Sequence, residues 1–134
     1  MSPELTILIW AALLQVGQLA LTVVFADAQT GIPYGAGPRD EARRLTGIAG
    51  RLDRALANHQ AALVLFTIAV LAVELGNGST ALTIACAWTY LVARIAYVPA
   101  YVSGIPYLRS TIWTIGIGAT VTMLVTALFG GANV

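Results

Sequence analysis

The stretch ALTIACAWTYLVARIAYVPAY, residues 81–101, decides what kind of fold this chain can adopt. It is long enough to cross a bilayer as a helix, since a spanning helix needs about 20 mostly apolar residues. Its one charged side chain is Arg94, and a charge at the centre of a membrane helix costs roughly 2.5–3.5 kcal/mol or more. We therefore expect Arg94 to face a bundle interior, a water-filled pocket or an anionic ligand. Tyr97 and Tyr101 follow it at i+3 and i+7, on the same helical face.

The composition of the whole chain indicates an integral membrane protein. Of its 134 residues, 58% are hydrophobic and 10% are charged, against about 25% charged in a typical soluble domain. The length fits a single domain over residues 1–134. The chain has one cysteine, Cys86, and one histidine, His59, so it has no internal disulfide and no metal site is predicted.

Four apolar segments predict an all-α fold, a bundle of four transmembrane helices in a lipid bilayer. They cover about residues 5–26, 52–75, 81–101 and 111–129. A polar, Gly/Pro-rich segment, Asp27–Gly50, is predicted as the first loop. The second and third connections, Gly76–Ser79 and Ser103–Ser110, are short and rich in turn residues.

The arginine distribution predicts the orientation of the bundle. Five of the seven arginines fall within residues 39–54, in or beside the first loop, and Arg109 lies in the third. By the positive-inside rule the first and third loops are cytoplasmic, and both termini lie on the opposite side. Acidic residues are interleaved in the arginine-rich segment and base-stacking aromatics do not accompany it, so nucleic-acid binding is not predicted.

This topology places most polar residues in the cytoplasmic half of the bundle. With a rise of about 1.5 Å per residue, Arg94 lies at the level of Asn58 through Ala61 on the antiparallel second span. Asn58 and Gln60 are candidate hydrogen-bond partners, but neither is charged. The charge must then be neutralised by Asp53 reaching inward, by an acid of another subunit, or by an anionic ligand.

Together these polar side chains predict a site for a small molecule that carries a carboxylate. Its members would be Arg54, Arg94, Arg109, Asn58, Tyr97, Tyr101 and Ser110. Plainer interpretations remain open: arginines that contact lipid phosphate, tyrosines of an interfacial aromatic belt, and an asparagine that joins two helices.

Three motifs carry a resemblance to a known family. RLDRALANH (residues 51–59), followed by Phe66, resembles the second-helix signature of the MAPEG family, the membrane-associated proteins of eicosanoid and glutathione metabolism, in its bacterial-type members. ARIAYVPAY (93–101) looks like the third-helix motif. GIPYLRS (104–110), with Trp113, looks like the Arg-Ser opening of the fourth helix.

The resemblance implies a four-helix subunit that assembles as a homotrimer, with glutathione bound between subunits at the cytoplasmic side. It implies a glutathione-dependent transferase or peroxidase, with glutathione as cosubstrate and a lipophilic electrophile or hydroperoxide as the second substrate. By the same resemblance, the residues that bind glutathione would be Arg51, Arg54, Asn58, Arg94, Tyr97 and Tyr101. The residues that bind and activate the glutathione thiol would be Arg109 and Ser110.

One position departs from the family pattern and supports an alternative. Members with glutathione activity usually have Glu three residues after the Asn, where this chain has Ala61, and the position before the Asn is Ala57. The alternative is a non-catalytic protein that keeps the MAPEG fold and binds a lipid or small anion at a degenerate site. A third hypothesis is a small transporter, for which Glu74 is the available acid within the spans.

Overall fold

The computed structural model describes residues 1–130, and all regular structure within them is helical. In chain order the helices are α1 (Pro3–Thr30), α2 (Ile32–Ala36), α3 (Gly47–Leu75), α4 (Ala81–Ser103) and α5 (Leu108–Gly130). All except the short α2 are long and apolar enough to cross a membrane. The predicted all-α fold with four spanning helices is confirmed, and the protein is an integral, multi-pass membrane protein.

The helices extend beyond the apolar segments because capping groups, rather than the last apolar residue, set their ends. Ser2 caps α1, since its hydroxyl accepts a hydrogen bond from the Leu5 amide at 3.2 Å. At its other end α1 continues past Asp27 and stops at Gly31, whose φ of +93° interrupts the helix. The predicted first loop is therefore shorter than expected, and it contains α2.

The α4 helix is fixed at both ends by local chemistry. Thr80 and Thr83 form a reciprocal capping box at its start. It ends at Gly104, which adopts a left-handed conformation with φ of +71° and lets the chain turn back toward α5. A Cβ at this position would lie 3.1 Å from the Arg51 guanidinium, so the glycine also makes room for that side chain.

The centre of the bundle is formed by α3 and α4. Each of them contacts the other three long helices, whereas α1 and α5 lie on opposite sides without touching within the described residues. The ring of Phe66 on α3 stacks on Tyr90 of α4, with centroids 3.9 Å apart. Small buried residues around them, Ala11, Ala69 and Ala87, let the helix backbones approach closely.

The outer surface of the bundle is apolar. Large side chains such as Trp10, Val24 and Leu128 are exposed on it. A soluble monomer rarely exposes so much contiguous apolar surface, whereas lipid chains cover it at no penalty. The charged side chains of the four long helices lie near the helix ends, except Arg94, which is buried in the bundle.

Candidate functional site

An open cavity of about 410 Å³ lies between the start of α3, the end of α4 and the start of α5. We call it the arginine cavity; its lining residues are Arg51, Arg54, Ala100, Tyr101, Gly104, Ile105, Pro106, Tyr107, Arg109 and Ser110. Three of them are arginines, and none of these described lining residues is an aspartate or glutamate. The cavity therefore concentrates positive charge without an internal counterion.

Tyr101 contacts two of these arginines, Arg54 and Arg109. The Nε of Arg54 donates a hydrogen bond to the Tyr101 hydroxyl at 3.0 Å. The guanidinium carbons of Arg54 and Arg109 lie 5.8 Å and 5.0 Å from the centroid of the same ring. These are cation–π distances, so one aromatic ring holds two cations from different helices around one space.

The remaining polar groups of the cavity come from its edges. Arg51 is anchored because its Nη1 donates to the Val102 carbonyl at 2.8 Å. Arg109 and Ser110 lie in the first turn of α5 and are exposed. The first amides of a helix lack intrahelical acceptors and carry a partial positive charge, which adds to that of the arginines.

Arg94 lies in a different environment, inside the bundle and only 2% exposed. Its Nη1 donates to Oδ1 of Asn58 at 2.9 Å, which confirms the expected bond between these residues. Its guanidinium carbon lies 4.2 Å from the centroid of the Tyr97 ring. Its Nε and Nη2 are buried and have no hydrogen-bond partner within residues 1–130.

The eight residues predicted for the site therefore divide into two groups. Arg51, Arg54, Tyr101, Arg109 and Ser110 line the arginine cavity. Asn58, Arg94 and Tyr97 do not line it and form a second group within the bundle, which we call the buried cluster. The Tyr97 and Tyr101 rings connect the two groups, with centroids 5.7 Å apart.

The structure also narrows the sources of a counterion for Arg94. Asp53 is exposed and lines a separate cavity beside the first loop, so it does not reach inward. Gln60 is exposed as well. Ala61 is exposed on the surface of the chain, and the next residue, Ala62, is the one that lines a small space together with Arg94.

Two buried polar contacts were missed by the sequence reasoning. The Nδ1 of His59 donates to Oε1 of Gln18, and both side chains are buried between α1 and α3. Glu4 is fully buried, and its Oε1 accepts hydrogen bonds from the hydroxyls of Ser79 and Thr83, both at 2.7 Å. The sequence offered one indication of these contacts: each involves a polar residue in or beside an apolar span. Such a residue must find a hydrogen-bond partner inside the protein.

The comparison with protein families settles the family of this fold. The model of the MAPEG family matches residues 7–129, which is nearly the whole chain. The chain belongs to the MAPEG family. The resemblance indicated by the three motifs is thereby confirmed. Among curated proteins and among solved structures, nothing matches it at a significant level.

In this MAPEG protein the arginine cavity brings three guanidinium groups and the Ser110 hydroxyl to one space. Within residues 1–130, no group of three or more His, Cys, Asp or Glu side chains could hold a metal ion. The cavity can accept an anion of several atoms, because its guanidinium groups surround a space large enough for a small peptide that carries a carboxylate.

Proposed function

We propose that this MAPEG protein is a glutathione-dependent transferase or peroxidase that acts on lipophilic electrophiles or hydroperoxides. The proposal is supported by the convergence of three arginines and Ser110 on one cavity whose described lining has no acid. Glutathione carries carboxylates at both ends and a thiol between them. Guanidinium groups bind carboxylates by paired, charge-assisted hydrogen bonds, so Arg51 and Arg54 would hold the ends of the peptide.

Arg109 and Ser110 would activate the thiol. A thiol with a pKa near 8.5 is mostly protonated at neutral pH, and the thiolate is the reactive form. The Arg109 cation and the Ser110 hydroxyl would stabilise the thiolate sulfur at the start of α5. This sulfur would then form a bond to an electrophilic carbon, either by adding to a polarised double bond or by displacing a leaving group. With a hydroperoxide, it would take the terminal oxygen as the O–O bond breaks, which gives a sulfenic acid and, after proton transfer, the alcohol. A second glutathione thiol would then displace water from the sulfenic acid and form the disulfide.

The assembly and orientation follow from the same proposal. Arg54, Arg109 and Ser110 are exposed in a single chain, so the site would be completed by a neighbouring subunit of a homotrimer. The cavity would face the cytoplasm, where reduced glutathione is abundant, with both termini on the other side of the membrane. Exposed apolar residues at its edge, such as Ile105, would admit a lipophilic substrate from the bilayer.

Calorimetric titration of the detergent-solubilised protein with glutathione tests the proposal. We expect binding with a Kd in the millimolar range or tighter, and we expect Arg109→Ala to abolish it. Arg44→Ala is the matched control, because Arg44 is exposed in the first loop and does not line the arginine cavity. If the wild-type protein produces no binding heat at saturating glutathione, the proposal is wrong.

A second candidate function is a non-catalytic MAPEG protein that binds a lipid or small anion at a degenerate glutathione site. It is favoured by Ala61, which stands where active relatives are expected to carry glutamate. Ala61→Glu distinguishes the two candidates. A large gain in glutathione affinity would indicate a site that has lost a binding side chain and would favour the non-catalytic protein. Glutathione binding that is already strong in the wild type and unchanged in the variant would favour the transferase or peroxidase.

A further inference from the structure

A small space lies beside Arg94 between α3, α4 and α5, apart from the arginine cavity. Its volume of about 10 Å³ for the centre of a water-sized sphere leaves room for one occupant of that size. It is lined by Ala62, Tyr90, Arg94, Trp113, Gly116 and Ile117. Arg94 and Tyr90 are both nearly fully buried, and the other lining groups are largely apolar.

The unused hydrogen-bonding groups at this space belong to the two polar residues that line it. The Nε and Nη2 of Arg94 and the hydroxyl of Tyr90 are buried without a partner within residues 1–130. Arginine only donates hydrogen bonds, and a tyrosine hydroxyl can donate one. Two nitrogens of Arg94 and the hydroxyl of Tyr90, all without a partner within residues 1–130, therefore belong to residues that line a space for one small species. The charge of Arg94 has no carboxylate partner in the same range.

We propose that this space is a binding site for a single monatomic anion, a halide such as chloride, held by Arg94 and Tyr90. A water molecule would satisfy the hydrogen bonds but would leave the buried charge unpaired, which is strongly unfavourable in an apolar interior. A free molecule that carries a carboxylate, such as gluconate or glutathione, is too large for this volume because the rest of its skeleton would have to enter with the carboxylate. The halide thus takes the counterion role that Asp53 does not fill. This inference does not depend on the proposed glutathione activity.

Thermal unfolding of the full-length protein in detergent tests the site, in sodium chloride against sodium gluconate at equal ionic strength. A ligand that binds the folded state raises Tm in proportion to the logarithm of its concentration above Kd. We expect chloride and bromide to raise Tm in a saturable way, and gluconate, which cannot fit, to have no such effect. Bromide should also give an anomalous scattering peak beside Arg94 in crystals.

Tyr90→Phe removes one donor and keeps the ring that stacks on Phe66, so the fold is retained. We expect it to raise the apparent halide Kd roughly tenfold, as the loss of a hydrogen bond to a charged group does. Tyr34→Phe is the matched control, because Tyr34 lies in α2 and lines neither this space nor the arginine cavity, and its halide response should equal that of the wild type.

Ala62→Asp provides the opposite test, because it places a tethered carboxylate at the lining of the same space. We expect this variant to unfold at the same temperature in chloride and in gluconate. Equal Tm values for the wild type in the two salts would overturn the proposal. So would a full chloride response in Tyr90→Phe or in Ala62→Asp. Glutathione titration is a separate measurement, so these outcomes leave the proposed function untouched.

Discussion

The arginine cavity and the buried cluster use the same chemical unit in opposite surroundings. In both, a guanidinium lies over a tyrosine ring: Arg109 at 5.0 Å from Tyr101, and Arg94 at 4.2 Å from Tyr97. Arg109 is exposed, whereas Arg94 is 2% exposed. A solvated guanidinium can exchange water for a ligand, but a buried one depends on whatever partner the interior holds.

Because of this difference, we expect the arginine cavity to govern ligand affinity and the buried cluster to govern the stability of the fold. Changes in the arginine cavity should alter ligand affinity while the free energy of unfolding stays nearly constant, since exposed substitutions usually change it little. Changes in the buried cluster and its packing should alter the free energy of unfolding first. Four substitutions test whether the two regions are independent in this way.

Phe66→Ala should have the largest effect. Phe66 is fully buried and stacks on Tyr90, which lies beside Arg94, so its removal leaves a cavity and frees that tyrosine. Large-to-small changes of this kind cost about 3–5 kcal/mol. Chemical denaturation in detergent measures the loss. Phe129→Ala, at an exposed position, should cost little, and an equal loss in both variants would contradict the packing argument.

Asn58→Ala should lower the free energy of unfolding by about 1–3 kcal/mol, because it leaves the third nitrogen of Arg94 without an acceptor. Gln60→Ala is the control, since Gln60 lies two residues along the same helix and is exposed. Denaturation of the two variants under identical conditions provides the comparison. Equal stability of both would mean that the bond to Asn58 does not support Arg94.

Arg54→Ala should reduce the affinity for glutathione roughly tenfold, the usual result of losing a charge-assisted hydrogen bond, with unfolding unchanged. Calorimetry measures the affinity and denaturation the stability, with Arg44→Ala as the control for loss of positive charge. A drop in stability like that of Asn58→Ala would show that the two regions are coupled through the tyrosines.

Tyr101→Phe should have the smallest effect, a decrease of roughly threefold in glutathione affinity. It removes the hydroxyl that accepts from Arg54 but keeps the ring that both arginines contact, and a hydrogen bond exposed to water contributes little net free energy. Tyr34→Phe, whose hydroxyl accepts from the Arg43 amide in the first loop, is the control. A loss as large as that of Arg54→Ala would assign the hydroxyl a direct contact with the ligand.

Much of the fold could be predicted because hydrophobic length is a local property. Each span is a run of apolar residues long enough to cross a bilayer, and the Arg94–Asn58 contact follows from antiparallel helices with a fixed rise per residue. Helix ends were less predictable, since Ser2 and Gly31 act through hydrogen bonding and backbone conformation rather than through hydropathy. The short α2 likewise lies in a segment where turn residues predicted a loop.

The candidate site was predictable as a set of residues but not as an arrangement. The spacing of Arg94, Tyr97 and Tyr101 placed all three on one face and suggested a single site. A difference of one to two helical turns in depth then decides which of them meets solvent. Tyr101 lines the arginine cavity, whereas Arg94, nearly two turns deeper, lies against α3 and the interior.

Apolar length and motif order are properties of the linear chain, so the membrane fold, the family and the set of charged residues could be predicted without knowledge of the packing. By contrast, tertiary packing determines which arginines share a cavity and which one is enclosed. That outcome depends on how α3, α4 and α5 rotate about their axes as they pack. The rotation leaves Arg109 exposed beside Tyr101. It places Arg94 beside Tyr90, with two nitrogens that have no partner among residues 1–130.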